Sequence, residues 1–330
     1  MINVLLVTDW DKDVYKFSEV ARELRRLGVR ARIAHDVEPQ IKHRLWSLGI
    51  EMKVISMFPL NKFLPDWAEI WQQQNYNKIQ EYEALERIGI PIPKWVPVYD
   101  GKKPDLSGFS DYVVVKPALG GRGAFVRILR RDKVNYRPVR TEAMNNKLSP
   151  ALIAQEYVHT GAWPMSYRVG TVFGEPIYTF RSIAHSARGP FVGFNFDANF
   201  FSGKSIVATA KGCIRDEEVP DEVINLASKT HRAFPNIPLL GIDMVRDCRT
   251  NTLYVLEVNA CGRTYQLGDE PSQRNLCEFG IDLHKQFGGI RAVAKGIYNR
   301  LFWETDNGNV SKPPCFSANG AIEREEVLVR

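Results

Sequence analysis

The sequence predicts a mixed α/β (α+β) protein: an N-terminal βαβ unit on a parallel sheet, followed by a longer region of strands and helices. Three observations carry this. Ile2–Val7 is an unbroken apolar run, as a strand buried on both faces requires. A helical apolar repeat and two further β-rich runs follow it, the order that builds parallel pairing. The chain has 330 residues, more than one core usually organises, so two or three domains are expected.

The elements follow in order. Val14, Phe17, Val20, Ala21, Leu24 and Leu27 recur at helical spacing, and Gly28 stands where a helix ends. Val29–Ala34 alternates and reads as a second strand, with Met52–Ser56 as a third. Ile70–Ile88 reads as one helix, stopped by Gly89-Ile90-Pro91-Ile92-Pro93. Strands are expected at Tyr112–Pro117, Ala124–Leu129, Ala151–Val158, Tyr167–Phe173 and Glu175–Ser182, the last two joined tightly at Gly174. A helix through Val223, Ile224, Ala227 and Phe234 precedes strands at Leu239–Arg246 and Thr252–Val258, and Ala292–Leu301 is helical. The expected domains are 1–76, 77–158 and 159–305, with a flexible tail over 306–330.

Composition narrows the function. No apolar run reaches the roughly 18 residues that span a bilayer, so no membrane association is expected. The first residues read as a strand rather than a leader, which makes the cytoplasm the expected location. Five scattered cysteines form no CxxC pair, so reduced thiols are expected rather than disulfides or a zinc ribbon. The net charge of +6 suits an anionic partner. Basic residues form only short clusters and no nucleic-acid motif is present, so no nucleic acid is expected.

Three segments carry chemistry. A hairpin symmetric about Thr250 sets Asp243 opposite Glu257, with Asn259 on the same face. Two facing carboxylates repel by about 4 kcal/mol at 4 Å and an effective dielectric near 20. Two carboxylates and an amide oxygen are hard donors of the kind Mg²⁺ takes, and an ion would turn that repulsion into attraction. The same carboxylates are equally compatible with solvent exposure or with pairing to Arg246, Arg249 or Arg263. Second, Val113-Val114-Val115-Lys116-Pro117 ends an apolar strand in a lysine, and Gly120-Gly121-Arg122-Gly123 follows. A buried ammonium needs an anion, and glycines let backbone N–H groups approach phosphate; a plain hairpin loop fits as well. Third, Gln155-Glu156-Tyr157-Val158 closes another strand and means nothing alone.

Other chemistries lack their motifs. No GxGxxG follows the first strand, and Gly203-Lys204-Ser205 has Ala198 where a P-loop needs glycine. HRD, DFG and GxSxG are absent, and the six histidines show no metal-ligand spacing.

The order of these pieces resembles the ATP-grasp superfamily, from about Asn77 to Gln266. The resemblance rests on a lysine before the GIPIP break, the VVVKP strand with its glycine loop, QEYV, and then GID…LEVN. It implies a fold of two α+β subdomains clasping ATP, preceded by the βαβ domain. It also implies that Lys78 and Lys116 bind ATP phosphates under a loop containing Gly120, Gly121 and Gly123. Gln155, Glu156, Tyr157, Val158 and Leu256 would surround the adenine, and Asp243, Glu257 and Asn259 would hold one or two Mg²⁺ ions, Mn²⁺ being an alternative. Arg168 would steady the transferred phosphoryl group, with Arg181 and Arg263 as candidates for substrate carboxylate or acyl phosphate.

Two departures stand out. Ser166 replaces the acidic residue that many relatives carry two positions before the arginine, and Ala260-Cys261-Gly262-Arg263 replaces their small, Pro- and Gly-containing continuation. Cys261 receives no role, and residues 184–204 are the first place to look for acceptor contacts. The implied reaction joins a small-molecule or peptide carboxylate to an amine through an acyl phosphate. Phosphate transfer to a hydroxyl and non-catalytic nucleotide binding are the rival readings. A homodimer or homotetramer is compatible with the resemblance.

Overall fold

The computed structural model describes residues 2–8, 15–35, 52–60, 68–74, 76–120, 125–140, 148–184, 213–260 and 264–303. The N-terminal βαβ unit is present. β1 (Asn3–Thr8), α1 (Phe17–Arg26), β2 (Arg30–His35) and β3 (Met52–Ser56) build a parallel sheet, with β1 between β2 and β3. α1 buries Phe17, Val20, Ala21 and Leu24 along one stripe, as their spacing predicts.

The helix expected over Ile70–Ile88 starts later. Glu69–Gln72 is instead an edge strand, β4, paired parallel to β3. Trp71 is buried there between Lys53 and Arg300, 5.4 and 4.8 Å from its ring centre, and Lys53 also pairs with Glu69 across the strands. The helix α2 (Lys78–Arg87) begins where Asn77 and Gln80 form a reciprocal capping box. That cap places Lys78 at the first helical position.

A second sheet holds β5 (Trp95–Val98), β6 (Tyr112–Pro117), β7 (Arg127–Arg130) and β8 (Leu152–Glu156) in the order β5-β8-β6-β7, all antiparallel. The third and largest sheet holds β9 (Met165–Val172), β10 (Glu175–Ala184), β11 (Cys213–Asp216), β12 (Leu239–Arg246) and β13 (Leu253–Asn259). Its order is β11-β10-β9-β12-β13, again antiparallel. Phe173 and Gly174, both at positive φ (49° and 88°), make the two-residue turn between β9 and β10.

α3 (Asp221–His231) packs one face of the large sheet; α4 (Asp269–Phe279), α5 (Leu283–Gln286) and α6 (Ile290–Trp303) lie toward the other. α6 ties the sheets together: Val293 and Ile297 share a core with Val20 and Leu24 of α1 and with Ile177 and Tyr178 of β10. A second core joins Tyr82 and Leu85 of α2 to Val169, Ile242 and Val258 of the large sheet. β5, β11, α4 and α5 lie outside the elements the sequence predicts. No helix among the described residues is long and apolar enough to cross a membrane.

Candidate active site

The large sheet lines up a row of charged side chains on one face. Glu257 of β13 stands opposite Asp243 of β12, Asp243 opposite Arg168 of β9, and Arg168 opposite Phe180 of β10. Directly paired residues in an antiparallel sheet share a face, so the row is a consequence of register. A bulge at Leu256 shifts the ladder just after Asp243, and Val255 then pairs with Met244. The bulge lets Val255 and Val258 both turn into the core while Glu257 faces the opposite way.

Repulsion between the two carboxylates is relieved by cations from other elements. Arg168 grips Asp243 with two bonds, Nε to Oδ1 and Nη2 to Oδ2, the latter at 2.6 Å. Burial works against the guanidinium's charge, yet Asp243 outweighs it and raises the Arg168 pKa. Asn259 Nδ2 donates to Asp243 Oδ2 at 3.0 Å, joining amide and carboxylate on one face. Lys78 Nζ lies 2.9 Å from Glu257 Oε1 and donates to the Gly120 carbonyl at 3.0 Å. Burial opposes ionisation of Glu257, but Lys78 and Lys116 together hold its carboxyl below its ordinary value. The pairing open at Asp243 and Glu257 thus goes to Arg168 and Lys78 rather than to Arg246, which bonds Glu222, or to Arg249, which bonds Asp247.

Lys116 enters from β6, buried, and donates to the Tyr82 hydroxyl at 2.6 Å and to the Leu256 carbonyl at 3.3 Å. Tyr82 also accepts from Gln155 Nε2 at 2.8 Å and donates to the same Leu256 carbonyl at 2.7 Å. Burial pulls the Lys116 ammonium down to about 8, a fall that Glu257 resists and Lys78 assists. Glu81, one turn from Lys78, is pushed up to about 8 by burial, and its Oε2 has no hydrogen-bond partner. Tyr82 and Glu81 were not among the expected site residues. Their signal is spacing, since positions three and four after Lys78 lie on the lysine's side of the helix.

The remaining candidates divide. Gln155 is 2% exposed and spends its amide on Tyr82. Both carboxylate oxygens of Glu156 accept from the Ser110 N–H at 3.2 Å. Tyr157 and Val158 are buried just past β8. Arg181 is not brought into the row: it stands opposite Tyr167 and Asp216, on the face away from Arg168, and grips Asp216 (Nη2 to Oδ2, 2.7 Å). One residue's shift along β10 turns it out of the row. Gly121, Gly123, Arg263, Cys261, nearly all of 184–204 and the tail lie outside the described residues. An open cleft of about 560 Å³, lined among others by Lys16, Leu276 and His284, contains none of the expected residues.

Among the described residues no three His, Cys, Asp or Glu side chains cluster to hold an ion. The row offers a different donor set, two carboxylates and an amide oxygen, which fits a hard divalent cation such as Mg²⁺. Lys78, Lys116 and Arg168 around it fit the phosphates of a nucleotide.

The model of the ATP-grasp domain family matches residues 76–264. No curated protein matches the chain. Among solved structures, a Chryseobacterium gregarium RiPP-associated ATP-grasp ligase, in complex with ADP and a leader and core peptide, is 13% identical. It aligns over 91% of this chain and 97% of its own, with a TM-score of 0.51. D-cycloserine synthetase DcsG aligns at 15% identity over 91% and 99% of the two chains, TM-score 0.48. A D-alanine–D-alanine ligase from Bacillus anthracis aligns at 12% identity over 93% and 100%, TM-score 0.47. At such identities the likeness is one of fold.

Proposed function

The chain belongs to the ATP-grasp family, and from that premise we propose that it is an ATP- and Mg²⁺-dependent ligase joining a carboxylate to an amine. The observation that carries the proposal is the convergence of Lys78, Lys116 and Arg168 on the oxygen face of Asp243, Glu257 and Asn259. Three cations brought together on a site otherwise balanced by its own carboxylates are arranged for an anion of high charge. Magnesium, when bound, would neutralise phosphate charge and orient the phosphoryl group.

Each residue then has a task. Lys78 and Lys116 bind phosphate oxygens, exchanging Glu257 and Tyr82 for the nucleotide. Asp243, Glu257 and Asn259 would hold one or two Mg²⁺ ions; Mn²⁺ would suit the same donors. Glu156, Tyr157, Val158 and Leu256 border the adenine, with Gln155 locking Tyr82 beneath them. The Gly120–Gly123 segment covers the phosphates and excludes water. Arg168, with a planar fork, stabilises the transferring phosphoryl group, and Arg263 is assigned to the substrate side.

In the first step a substrate carboxylate oxygen attacks the terminal phosphorus, a new P–O bond forms, and the P–O bond to ADP breaks. In the second an amine nitrogen attacks the acyl carbon, phosphate departs with its bonding pair, and the nitrogen loses a proton. No nucleophilic side chain is needed. The location that accords with this reading is the cytoplasm, where ATP and Mg²⁺ are plentiful.

The test is to incubate the full-length chain with Mg-ATP and a panel of carboxylic acids, amino acids and short peptides. The expected result is ADP and phosphate released in equal amounts, dependent on both a carboxylate and an amine. A phosphorylated product without free phosphate would overturn it in favour of transfer to a hydroxyl. Tight Mg-ATP binding with no turnover across the panel would overturn it in favour of a binding module.

A further inference from the structure

The row on the large sheet extends one strand beyond the residues used above. Arg215 of β11 stands opposite Ser182, and Ser182 opposite Ser166, so Arg215 shares the face of Phe180 and Arg168. Its guanidinium carbon lies 4.5 Å from the Phe180 ring centre and 4.8 Å from that of Phe279 on α4. Nη1 donates to Asn275 Oδ1 at 2.9 Å. Asn275 is fully buried and fixed in turn, its Nδ2 donating to the Pro271 carbonyl at 2.8 Å and to Gln266 Oε1 at 3.2 Å. Two rings and an amide therefore hold the plane of the cation in one orientation.

Among the described residues no acid pairs with this cation. Arg181, one strand over and on the other face, is gripped by Asp216. Among the described residues Arg215 forms no ion pair, and its buried Nε has no hydrogen-bond partner. Burial lowers its pKa; Cys213 works against that, and the nearby Arg168 and Arg274 lower it again, with Glu278 a smaller opposing influence. A partly buried guanidinium near other guanidinium groups, with no acid paired to it among the described residues, is costly unless an anion completes it. Two strand spacings of about 4.8 Å, with the two-residue offset from Ser166 to Arg168 of about 7 Å along the strand, put the Arg215 backbone roughly 12 Å from that of Arg168. That is the span of a ligand a few carbons long.

We propose that Arg215 binds a substrate carboxylate, with Phe180 and Phe279 as its walls, so that the acceptor side of this site selects acidic substrates. The inference rests on Arg168 marking where the phosphoryl group is transferred. The carboxylate is either the one that becomes activated or a second one that anchors the substrate. Its planar, two-oxygen shape matches the guanidinium fork, of which Nη1 is taken by Asn275 and Nε has no partner among the described residues.

The experiment uses the full-length chain, labelled with ¹⁵N, carrying Mg²⁺ and a non-hydrolysable ATP analogue. The arginine Nε–Hε resonance of Arg215 is identified by its loss in Arg215→Lys, and succinate is titrated in. The expected result is a saturable shift of that resonance in the unsubstituted chain. Arg215→Met should then weaken succinate binding at least tenfold and leave affinity for the analogue within twofold. No saturable shift, or equal succinate affinity in Arg215→Met, overturns the proposal. So does a shift saturated by inorganic phosphate but not by succinate.

A final arm replaces the analogue by Mg-ATP and adds hydroxylamine. Butyrate, with a single carboxylate, is compared with succinate: butyryl hydroxamate identifies the carboxylate bound at Arg215 as the activated one, whereas hydroxamate from succinate but not from butyrate identifies it as the anchor. Loss of analogue binding with the succinate shift intact would overturn the nucleotide reading and leave the carboxylate site standing.

Discussion

Lys116 ends an apolar strand with its ammonium in a buried network, and Glu81 sits close by with a carboxyl kept protonated by burial. Both titrate near pH 8, burial being the main cause for each. Below that pH Lys116 carries its charge and Glu81 does not; above it Lys116 loses a positive charge and Glu81 gains a negative one. Both changes disfavour a bound anion. Affinity for the Mg-bound ATP analogue is therefore expected to fall as pH rises through 8, about tenfold per pH unit for each proton taken up on binding. Calorimetry in buffers of different ionisation enthalpy would count that proton. Lys116→Arg, which does not titrate in this range, should flatten the dependence; an affinity unchanged up to pH 9.5 would argue against a phosphate at this ammonium.

At the scale of elements, two devices position the charged row. The capping box of Asn77 and Gln80 starts α2 at Lys78, and the Lys78 backbone N–H is held by the Ala118 carbonyl at 2.9 Å. Asn77→Ala removes one half of the box and is expected to cost about 1 kcal/mol. In a denaturant melt this should appear as a shifted midpoint at constant slope, accompanied by weaker nucleotide binding because the lysine's first turn frays. The second device is the place where Tyr178 lies across Gly170 on β9. A Cβ added at Gly170 would fall 2.1 Å from a Tyr178 ring carbon, and Tyr178 is fully buried with its hydroxyl donating to the Thr264 carbonyl at 2.7 Å. Gly170→Ala must displace that ring, so a loss of about 1–3 kcal/mol is expected. Tyr178 stacks on Phe180 at 6.0 Å, so the same change should disturb the Arg215 resonance before it disturbs nucleotide affinity. A melt indistinguishable from wild type would show that the ring moves freely.

Across the whole molecule, long periodic runs were legible and short charged ones were not. Tyr112–Pro117 and Leu239–Arg246 carry enough apolar residues to declare both strand and limits. The facing of Asp243 and Glu257 is as a hairpin centred on Thr250 predicts, but the ladder is centred between Arg249 and Thr250 and reaches that pairing through the bulge at Leu256. β11 reads Cys-Ile-Arg-Asp, and α4 offers little apolar periodicity, so neither stands out before its neighbours supply the surface it packs on. The same holds for the site. Residues that announce themselves by motif, such as Lys116 and Glu257, were visible. The places of Arg215, Tyr82 and Arg181 depend on register and on which strand lies beside which. Arg181 illustrates the limit most clearly, because one step along a strand exchanges the face of the charged row for the other side of the sheet.

The central claim is that Asp243, Glu257 and Asn259 hold the metal through which a nucleotide is bound. Its most direct test compares affinity for a non-hydrolysable ATP analogue with Mg²⁺ and with EDTA, in the unsubstituted chain and in Glu257→Gln. Wild type is predicted to bind at least tenfold more tightly with Mg²⁺, and Glu257→Gln, which keeps the shape and removes the charge, to lose that difference. A Glu257→Gln chain that keeps the full Mg²⁺ dependence would contradict the assignment.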